Sequence, residues 1–476
     1  MDHSASVITG KKTLKRTLLL IITLTAFLSS FLGSAINLAL PSIGKDLHAS
    51  AIQIGWIASS FILSSAMFLI PFGRLADIVG RKKIFTIGIA SFTLTTFVVV
   101  FCNNITTLLI LRVLQGISSA MIVSTSMAII TTVFQPGERG RAMGINVTAV
   151  YAGLSGGPVI GGFLTQYFGW KSIFLFVVPI GIISLFLIFK KMKAEWAESK
   201  NERFDWKGSV IYGLSLAFFM YGFSKLPTTT GWSFLSSGVV LGILFLVFEN
   251  RVSKPVFDIR LILRNRVFAF SGIAALIHYS ATSATGFFIS LYLQYVHGLD
   301  ARSAGLIMIS QPLAMTLLSS LAGKLSDKRN PGVIASIGMG LTATGLLSLC
   351  LITDSTPHSL IILLLTIMGI GFALFSSPNS NAIMSSVEKR HLGVASGVVG
   401  TMRNVGQMMS MGIAMMLLAV YIGGKEAINP SNFHGLTNAM RTGFVIFSIL
   451  CILGVFASLA RNKSLIPGKS SCEIKI

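Results

Sequence analysis

Gly153-Leu154-Ser155-Gly156-Gly157-Pro158-Val159-Ile160-Gly161-Gly162 is the stretch that decides how the rest of this chain is read. Five glycines and a proline fall within ten residues of an otherwise apolar run. In water they would make a poor helix, because glycine costs conformational entropy and proline removes a donor and clashes with the preceding turn. Inside a membrane the same composition is tolerated where a neighbouring helix packs closely and re-satisfies the backbone. The stretch therefore predicts a membrane helix pressed against a partner.

The surrounding sequence supplies the membrane. Hydrophobic residues make up 53% of the 476 residues and charged residues only 11%, whereas soluble domains carry roughly a quarter charged residues. A net charge of +22 would suit a nucleic-acid binder, but the positive residues sit in short clusters between apolar runs, as in cytoplasmic loops beside anionic lipid. Nucleic acid is therefore excluded as a partner, and membrane lipid is expected as one. Cys102, Cys350, Cys451 and Cys472 lie far apart and form no CxxC pair; they predict neither a metal site nor a disulfide framework. The first apolar run, near 17–40 behind Lys11, Lys12, Lys15 and Arg16, is long enough for a spanning helix rather than a signal peptide.

Apolar runs long enough to cross a slab of roughly 30 Å at 1.5 Å per residue number fourteen. Six lie near 17–40, 52–72, 84–102, 105–130, 142–165 and 171–189, and two shorter ones near 208–224 and 234–249. The last six lie near 268–292, 302–322, 331–352, 357–383, 394–422 and 438–460. With fourteen spans both termini share one side, and that side holds 30 of the 38 Lys and Arg residues. The other side holds Lys45, Lys171, Lys225, Arg302, Lys425 and Arg441. This asymmetry predicts a multi-pass protein of the plasma (cytoplasmic) membrane with both termini cytoplasmic.

The chain also repeats itself. Gly73-Arg-Leu-Ala-Asp77 after span 2 returns as Gly323-Lys-Leu-Ser-Asp327 after span 10, and the run from Gly116 to Gly144 matches that from Gly369 to Gly397. The expected organisation is an N-terminal six-helix bundle (1–190), a loop with two inserted helices (191–252) and a C-terminal six-helix bundle with its tail (253–476). A parallel repeat of this kind places a substrate site at the midplane between the halves.

Three motifs carry a resemblance to the major facilitator superfamily. Gly73-Arg-Leu-Ala-Asp77-Ile-Val-Gly80-Arg81-Lys82-Lys83 is similar to the superfamily's loop after span 2. Leu108-x-x-x-Arg112-x-x-Gln115-Gly116 is similar to its span-4 motif. Gly153, Gly157, Pro158, Gly161 and Gly162 match the g-x-x-x-G-P-x-x-G-G motif of its antiporters. Fourteen spans, with Pro255-Val-Phe-Asp258-Ile-Arg260 before span 9, resemble the fourteen-helix drug–proton antiporter branch. The resemblance implies an all-α membrane fold of two six-helix bundles plus two inserted helices, and secondary transport by alternating access.

It also implies roles. Gly73, Asp77, Gly80, Arg81, Lys82, Gly323 and Asp327 would form a conformational latch; the alternative is a solvated charged loop. Arg112 with Gln115 would belong to proton coupling, or else Arg112 would brace the bundle through a neighbour's carbonyls. The Gly-Pro run would seal or open the pathway. Arg403 and Asn404 in span 13 resemble cavity or gate residues, with interhelical bonding as the alternative, and Ser34 and Asn37 in span 1 would line the same cavity.

One departure bears on the substrate. The branch usually carries an aspartate in span 1, and Leu32 occupies that position, before Asn37 and Ala39-Leu40-Pro41. All sixteen Asp and Glu residues fall in termini, loops or helix ends. Without a buried carboxylate to bind a proton or cation in turn, the inventory is Arg112, Arg403, His278 and neutral polar groups, which favours anionic, zwitterionic or neutral amphiphiles. His278 is the histidine within a span and is available for the coupling proton, or else is a packing residue. Met408, Met409, Met411, Met415 and Met416 read as packing, and Phe27, Phe31, Tyr151, Phe287, Phe288 and Tyr292 are candidate apolar cavity residues.

The expected function is proton-coupled efflux of amphipathic small molecules or drugs by a monomer without cofactor, metal or catalytic residues. No phosphate loop of the form G-x-x-x-x-G-K-[ST] and no paired acids suggest a pump or an enzyme. The alternatives are a dedicated exporter of an anionic or zwitterionic metabolite, and a non-transporting membrane sensor or scaffold on the same fold.

Overall fold

The computed structural model describes residues 2–192, 194–197, 202–252, 265–387, 392–423 and 426–461; the side chains of 2–14, 136–137, 140, 327 and 392–396 lie outside that description. The described residues are helical throughout, with short connections. The N-terminal half comprises α1 (Asp2–Asp46), α2 (Ala51–Val79), α3 (Arg81–Val99), α4 (Ile105–Val133), α5 (Pro136–Phe168) and α6 (Lys171–Lys191). The inserted pair is α7 (Trp206–Lys225) and α8 (Thr229–Glu249). The C-terminal half comprises α9 (Arg266–Leu291), α10 (Ala301–Met308), α11 (Ser310–Lys328), α12 (Pro331–Leu349), α13 (His358–Ser385), α14 (Leu392–Tyr421) and α15 (Phe433–Ala460).

Local chemistry sets many of the ends. Ser50 and Gln53 form a reciprocal capping box at α2, and Asn104, Asp205, Thr228, Asn265, Asp300 and Asn330 cap later helices through their side chains. Pro312 cannot donate to, and clashes with, the carbonyl four residues earlier, which is where α10 ends and α11 begins. Together α10 and α11 make one span, Ala301–Ser326.

Thirteen described segments are long and apolar enough to cross a membrane. The helix α7 is not one of them: its 20 residues include Lys207, Lys225 and several Ser, Gly and Tyr residues. It pairs with α8, where Gly222 and Gly238 let the backbones meet. Counted as a crossing, α7 restores fourteen and returns both ends of the described chain to one face, here the terminal face; the opposite one is the far face.

The repeat seen in sequence is a repeat in packing. A Cβ on Gly116 would stand 2.4 Å from the Phe61 carbonyl oxygen, and one on Gly369 would stand 2.4 Å from that of Gln311. Gly88 meets Ser118, Met121 and Ile122, as Gly338 meets Gly371, Leu374 and Phe375. Gly153 of α5 crosses α1 at Phe27, Ser30 and Phe31, as Gly406 of α14 crosses α9 at Leu276, Tyr279 and Ser280. Small residues at matched positions thus set matched helix crossings in both halves.

The halves meet along two lines. The helices α2 and α14 touch along most of their length, at Gly55–Met415, Ser65–Asn404 and Leu69–Gly400. The inserted helix α7 lies on this line: the Tyr212 hydroxyl donates to the Ala66 carbonyl at 3.0 Å, and Phe223 packs on Gly412. The second line runs from α1 and α5 to α9, α10 and α11 and is closed at the far face. There Ser290 and Gln294 donate to the Asn37 and Leu38 carbonyls, and Arg302 to the Tyr167 hydroxyl. Toward the terminal face, Gly144 and Gly397 have no neighbouring atom within 4 Å of a Cβ position.

Candidate functional site

The Gly-Pro stretch of α5 uses two faces at once. Gly153, Gly157 and Gly161, four residues apart, face α1: Cβ atoms there would stand 2.7 Å from the Phe27 carbonyl oxygen, 2.6 Å from Ser34 Cβ and 2.5 Å from Ala35 Cβ. Ser34 is held in this seam by donating to the Leu154 carbonyl at 3.0 Å. Pro158 and Gly162 face the other half. A Cβ on Gly162 would stand 2.4 Å from the Ala301 carbonyl oxygen, and one on Gly305 would stand 2.1 Å from that of Pro158. Asp300 caps α10 at this contact, and the hydroxyl and backbone N–H of Ser303 hold its carboxyl below the ordinary value. One seam thus holds α5 within its bundle and the other closes the bundles at the far face.

The loop between α2 and α3 carries an ion pair. Arg81 Nε donates to Asp77 at 2.8 Å, and its guanidinium also reaches Thr132 of α4. The pair is half-buried and so worth more than an exposed one, which contributes about 0–1 kcal/mol. Gly80 has φ +124°, open to glycine and strained for other residues. The Glu195 carboxylate accepts from the backbone N–H groups of Lys82 and Lys83, at the start of α3, where a negative charge complements the helix dipole. Arg81 N–H donates to the Trp196 carbonyl, and Arg74 pairs with Glu202. In the second copy, Gly323 backs onto Ser377, while the side chain of Asp327 lies outside the described residues.

Arg112 is fully buried in α4. Its Nε donates to the Ile57 carbonyl at 2.9 Å, Nη1 donates to Gln115 at 2.9 Å, and Gln115 donates to Thr96 at 3.1 Å. The guanidinium also stacks 4.5 Å from the Phe61 ring centroid. All these partners belong to α2, α3 and α4, so the network sits inside the N-terminal bundle.

The middle of the interface is a different group. The Tyr151 hydroxyl of α5 interacts with Ser376 of α13, Tyr279 of α9 and Arg403 of α14. Arg403 is half-buried and has no hydrogen bond or ion pair to a described residue. Asn404 donates to Ser65 at 3.4 Å, the Asn37 amide nitrogen lies 3.5 Å from a Cβ position at Gly286, and Ser155 and Thr316 hydroxyls lie 3.1 Å apart. His278, next to Tyr279, is enclosed: its ring stacks on Phe375 with centroids 4.0 Å apart and lies 5.0 Å from Phe372. Neither of its nitrogens has a hydrogen-bond partner among the described residues.

The model of the Major Facilitator Superfamily matches residues 22–411 and 271–469. The chain belongs to the Major Facilitator Superfamily. Among curated proteins it is 31% identical over 394 residues to the riboflavin transporter RibZ of Clostridioides difficile, covering 82% of this chain and 85% of that one. It is 27% identical over 394 residues to the tetracenomycin C resistance and export protein of Streptomyces glaucescens, covering 82% and 73%. Among solved structures, a bacterial homolog of the human lysosomal transporter Spinster, in an inward-facing and unoccupied conformation, superposes with a TM-score of 0.65 at 17% identity, covering 96% and 97% of the two chains. The fold of this superfamily and membership in a family of transporters, rather than enzymes, follow.

Within that superfamily fold, several contacts escape a linear reading. Tyr279 and Ser376 join Arg403 and Tyr151 only through packing of four helices. Glu195 and Glu202 engage the α2–α3 loop and the end of α2 from the segment after α6; acids interspersed among the lysines of the polar stretch Lys190 to Lys207 were the available signal. Leu32 is 1% exposed, packed in the core. Phe31, Phe287, Phe288 and Tyr292 are likewise core residues, as are Met408, Met411 and Met415, the last against Gly55.

Proposed function

We propose that this protein is a proton-coupled exporter of amphipathic small molecules, working by alternating access between its two halves. The observation that carries the reading is the half-buried Arg403 at the mid-interface, which has no hydrogen bond or ion pair among the described residues and faces Tyr151 of the opposite half beside Tyr279 and Ser376. An uncompensated guanidinium in a membrane interior is costly unless water or a ligand group meets it. Two tyrosines offer ring faces and hydroxyls, and no carboxylate of the described residues lies deep in a span. Such a site suits an anionic, zwitterionic or neutral ligand with an aromatic part over a lipophilic cation.

The excess of positive residues assigns the terminal face to the cytoplasm and the plasma membrane as location. The conformation is then one closed to the outside at α5–α10. Asp77–Arg81 and the bonds of Glu195 hold the cytoplasmic loop in this state and release in the other. We assign the coupling proton to His278. Its nitrogens have no partner among the described residues here, and a conformation that pairs them with a proton donor or acceptor changes their proton affinity. Arg112 and Gln115 brace the bundle in which the seam glycines move.

The similarity to a riboflavin transporter supports a second reading, a dedicated carrier of one polar aromatic metabolite. Thermal-shift binding of cationic, neutral and anionic amphiphiles to wild type and Arg403→Ala tests both. Several anionic or neutral binders, weakened by the substitution, support the first reading, and a single binder supports the second. Binding of cations alone, unaffected by the substitution, refutes the site.

A further inference from the structure

At the far face the segment between α9 and α10 and the start of α13 bring two imidazoles together. His297 Nδ1 lies 3.1 Å from His358 Nε2, and His297 Nε2 lies 2.8 Å from the Tyr292 hydroxyl. The Tyr292 hydroxyl donates in turn to the Thr353 carbonyl at 2.5 Å. That last bond fixes the direction of the others. A carbonyl only accepts, so the tyrosine oxygen accepts from His297 Nε2–H, His297 Nδ1 presents a lone pair, and His358 Nε2 carries the one proton between the rings.

We propose that the His297–His358 pair is a binding site for a divalent transition-metal ion of the zinc class, reached from the far face. The ion takes the place of the shared proton: His358 Nε2 releases its proton to water, and both nitrogens then direct lone pairs at one point. Two zinc–nitrogen bonds of about 2.05 Å at a tetrahedral angle place their nitrogens about 3.3 Å apart, close to the separation already present. The Tyr292–Thr353 chain holds the far nitrogen of His297, as outer-shell partners do for metal-bound histidines.

The surroundings allow it. His358 is exposed and His297 half-buried, so the pair is accessible. Asp354 lies near His297 and Tyr292 and favours a cation there, while the Arg441 guanidinium is turned to the Ile352 carbonyl at 2.7 Å. Among the described residues no group of three or more His, Cys, Asp or Glu residues converges. Water therefore completes the shell, and binding is reversible. His297 precedes by four residues the start of α10, which closes on α5. Both histidines belong to the C-terminal half, so a metal tie does not itself cross the gate; it fixes the start of α10 against α13 and thereby the surface that α5 must meet. That consequence rests on the exporter reading; binding itself does not.

The test is calorimetric titration of the purified full-length chain with zinc chloride, with each variant first shown to be folded by its melting curve. Wild type, His48→Ala and His434→Ala, the last two altering exposed histidines outside the pair, are expected to bind zinc alike. His297→Ala and His358→Gln are expected to bind one equivalent fewer, or that equivalent at least tenfold more weakly. Should His297→Ala fail to fold, the exposed His358→Gln decides alone. Unchanged zinc binding in His358→Gln overturns the proposal, as does an equal loss in His434→Ala. In vesicles, loss of zinc inhibition in the pair variants but not the controls supports the gate consequence, and inhibition surviving in all of them refutes that consequence alone.

Discussion

Gly305→Ala separates a gate from a merely tight packing site. Its new Cβ would stand 2.1 Å from the Pro158 carbonyl oxygen and 3.0 Å from the carbonyl carbon. Both are backbone atoms, so relief requires α10 and α5 to move apart. Overpacking of this kind costs about 1–3 kcal/mol. The cost falls on the far-face-closed state alone, because α5 and α10 belong to different halves and part when that face opens. At about 1.4 kcal/mol per factor of ten, the equilibrium shifts roughly 5- to 150-fold toward the far-open state. The assay is the distance between spin labels at Phe168 on α5 and Leu306 on α10, both exposed, on a background with Cys102, Cys350, Cys451 and Cys472 replaced by serine. The long-distance population is expected to become the major one in Gly305→Ala. Gly157→Ala is the control: its Cβ would stand 2.6 Å from Ser34 Cβ within one bundle, so it is expected to lower the melting temperature in any state without moving the distance distribution. If folded Gly305→Ala keeps the wild-type distribution, the α5–α10 contact is not a gate.

Other substitutions probe the separate networks. Arg112→Ala removes donors to the Ile57 carbonyl and to Gln115 and leaves the buried Gln115 oxygen without its donor, at a cost of about 1–3 kcal/mol; a folded protein with transport lost is expected, and unimpaired transport would detach this network from the cycle. Arg403→Ala is expected to raise the KM for anionic substrates at least tenfold and Arg403→Lys to restore part of it, since charge without the planar fork remains; initial rates in vesicles check this. Burial first, and then His358, hold the His297 imidazole below its ordinary value of 6.5. The folded state therefore binds fewer protons than the unfolded state, and stability falls as pH drops from about 6.5 through the folded value. Melting curves between pH 7.5 and 5 are expected to show this fall, reduced in His297→Asn.

The sequence carried the architecture because its signals are local. Apolar length and loop charge mark spans, and glycines mark crossings: Gly116 and Gly369 fall at equivalent crossings, as their sequence spacing implied. The two-sided use of the Gly-Pro stretch was legible in part, since Gly153, Gly157 and Gly161 share one helix face while Pro158 and Gly162 lie beside it; that α10 is the second partner was not, because nothing in α5 names a helix some 140 residues on. Arg112 was visible as a costly buried charge, but its partner is a backbone carbonyl, which every residue has. The helix α7 read only as one of two shorter spans; its polar residues, Tyr212 among them, fit it to the α2–α14 line. The site at Arg403, Tyr151, Tyr279 and Ser376 depends on which faces of α5, α9, α13 and α14 turn inward, and that is set by packing rather than by any one helix.

The central claim is that substrate and proton move through one protein in exchange. The direct measurement is the internal pH of proteoliposomes holding the purified chain and a trapped pH dye, as anionic, zwitterionic, neutral and cationic amphiphiles are added in turn. Proton movement driven by anionic or neutral compounds, and abolished in Arg403→Ala, is the expected result. No proton movement with any compound, from protein whose melting curve shows it folded, contradicts the claim.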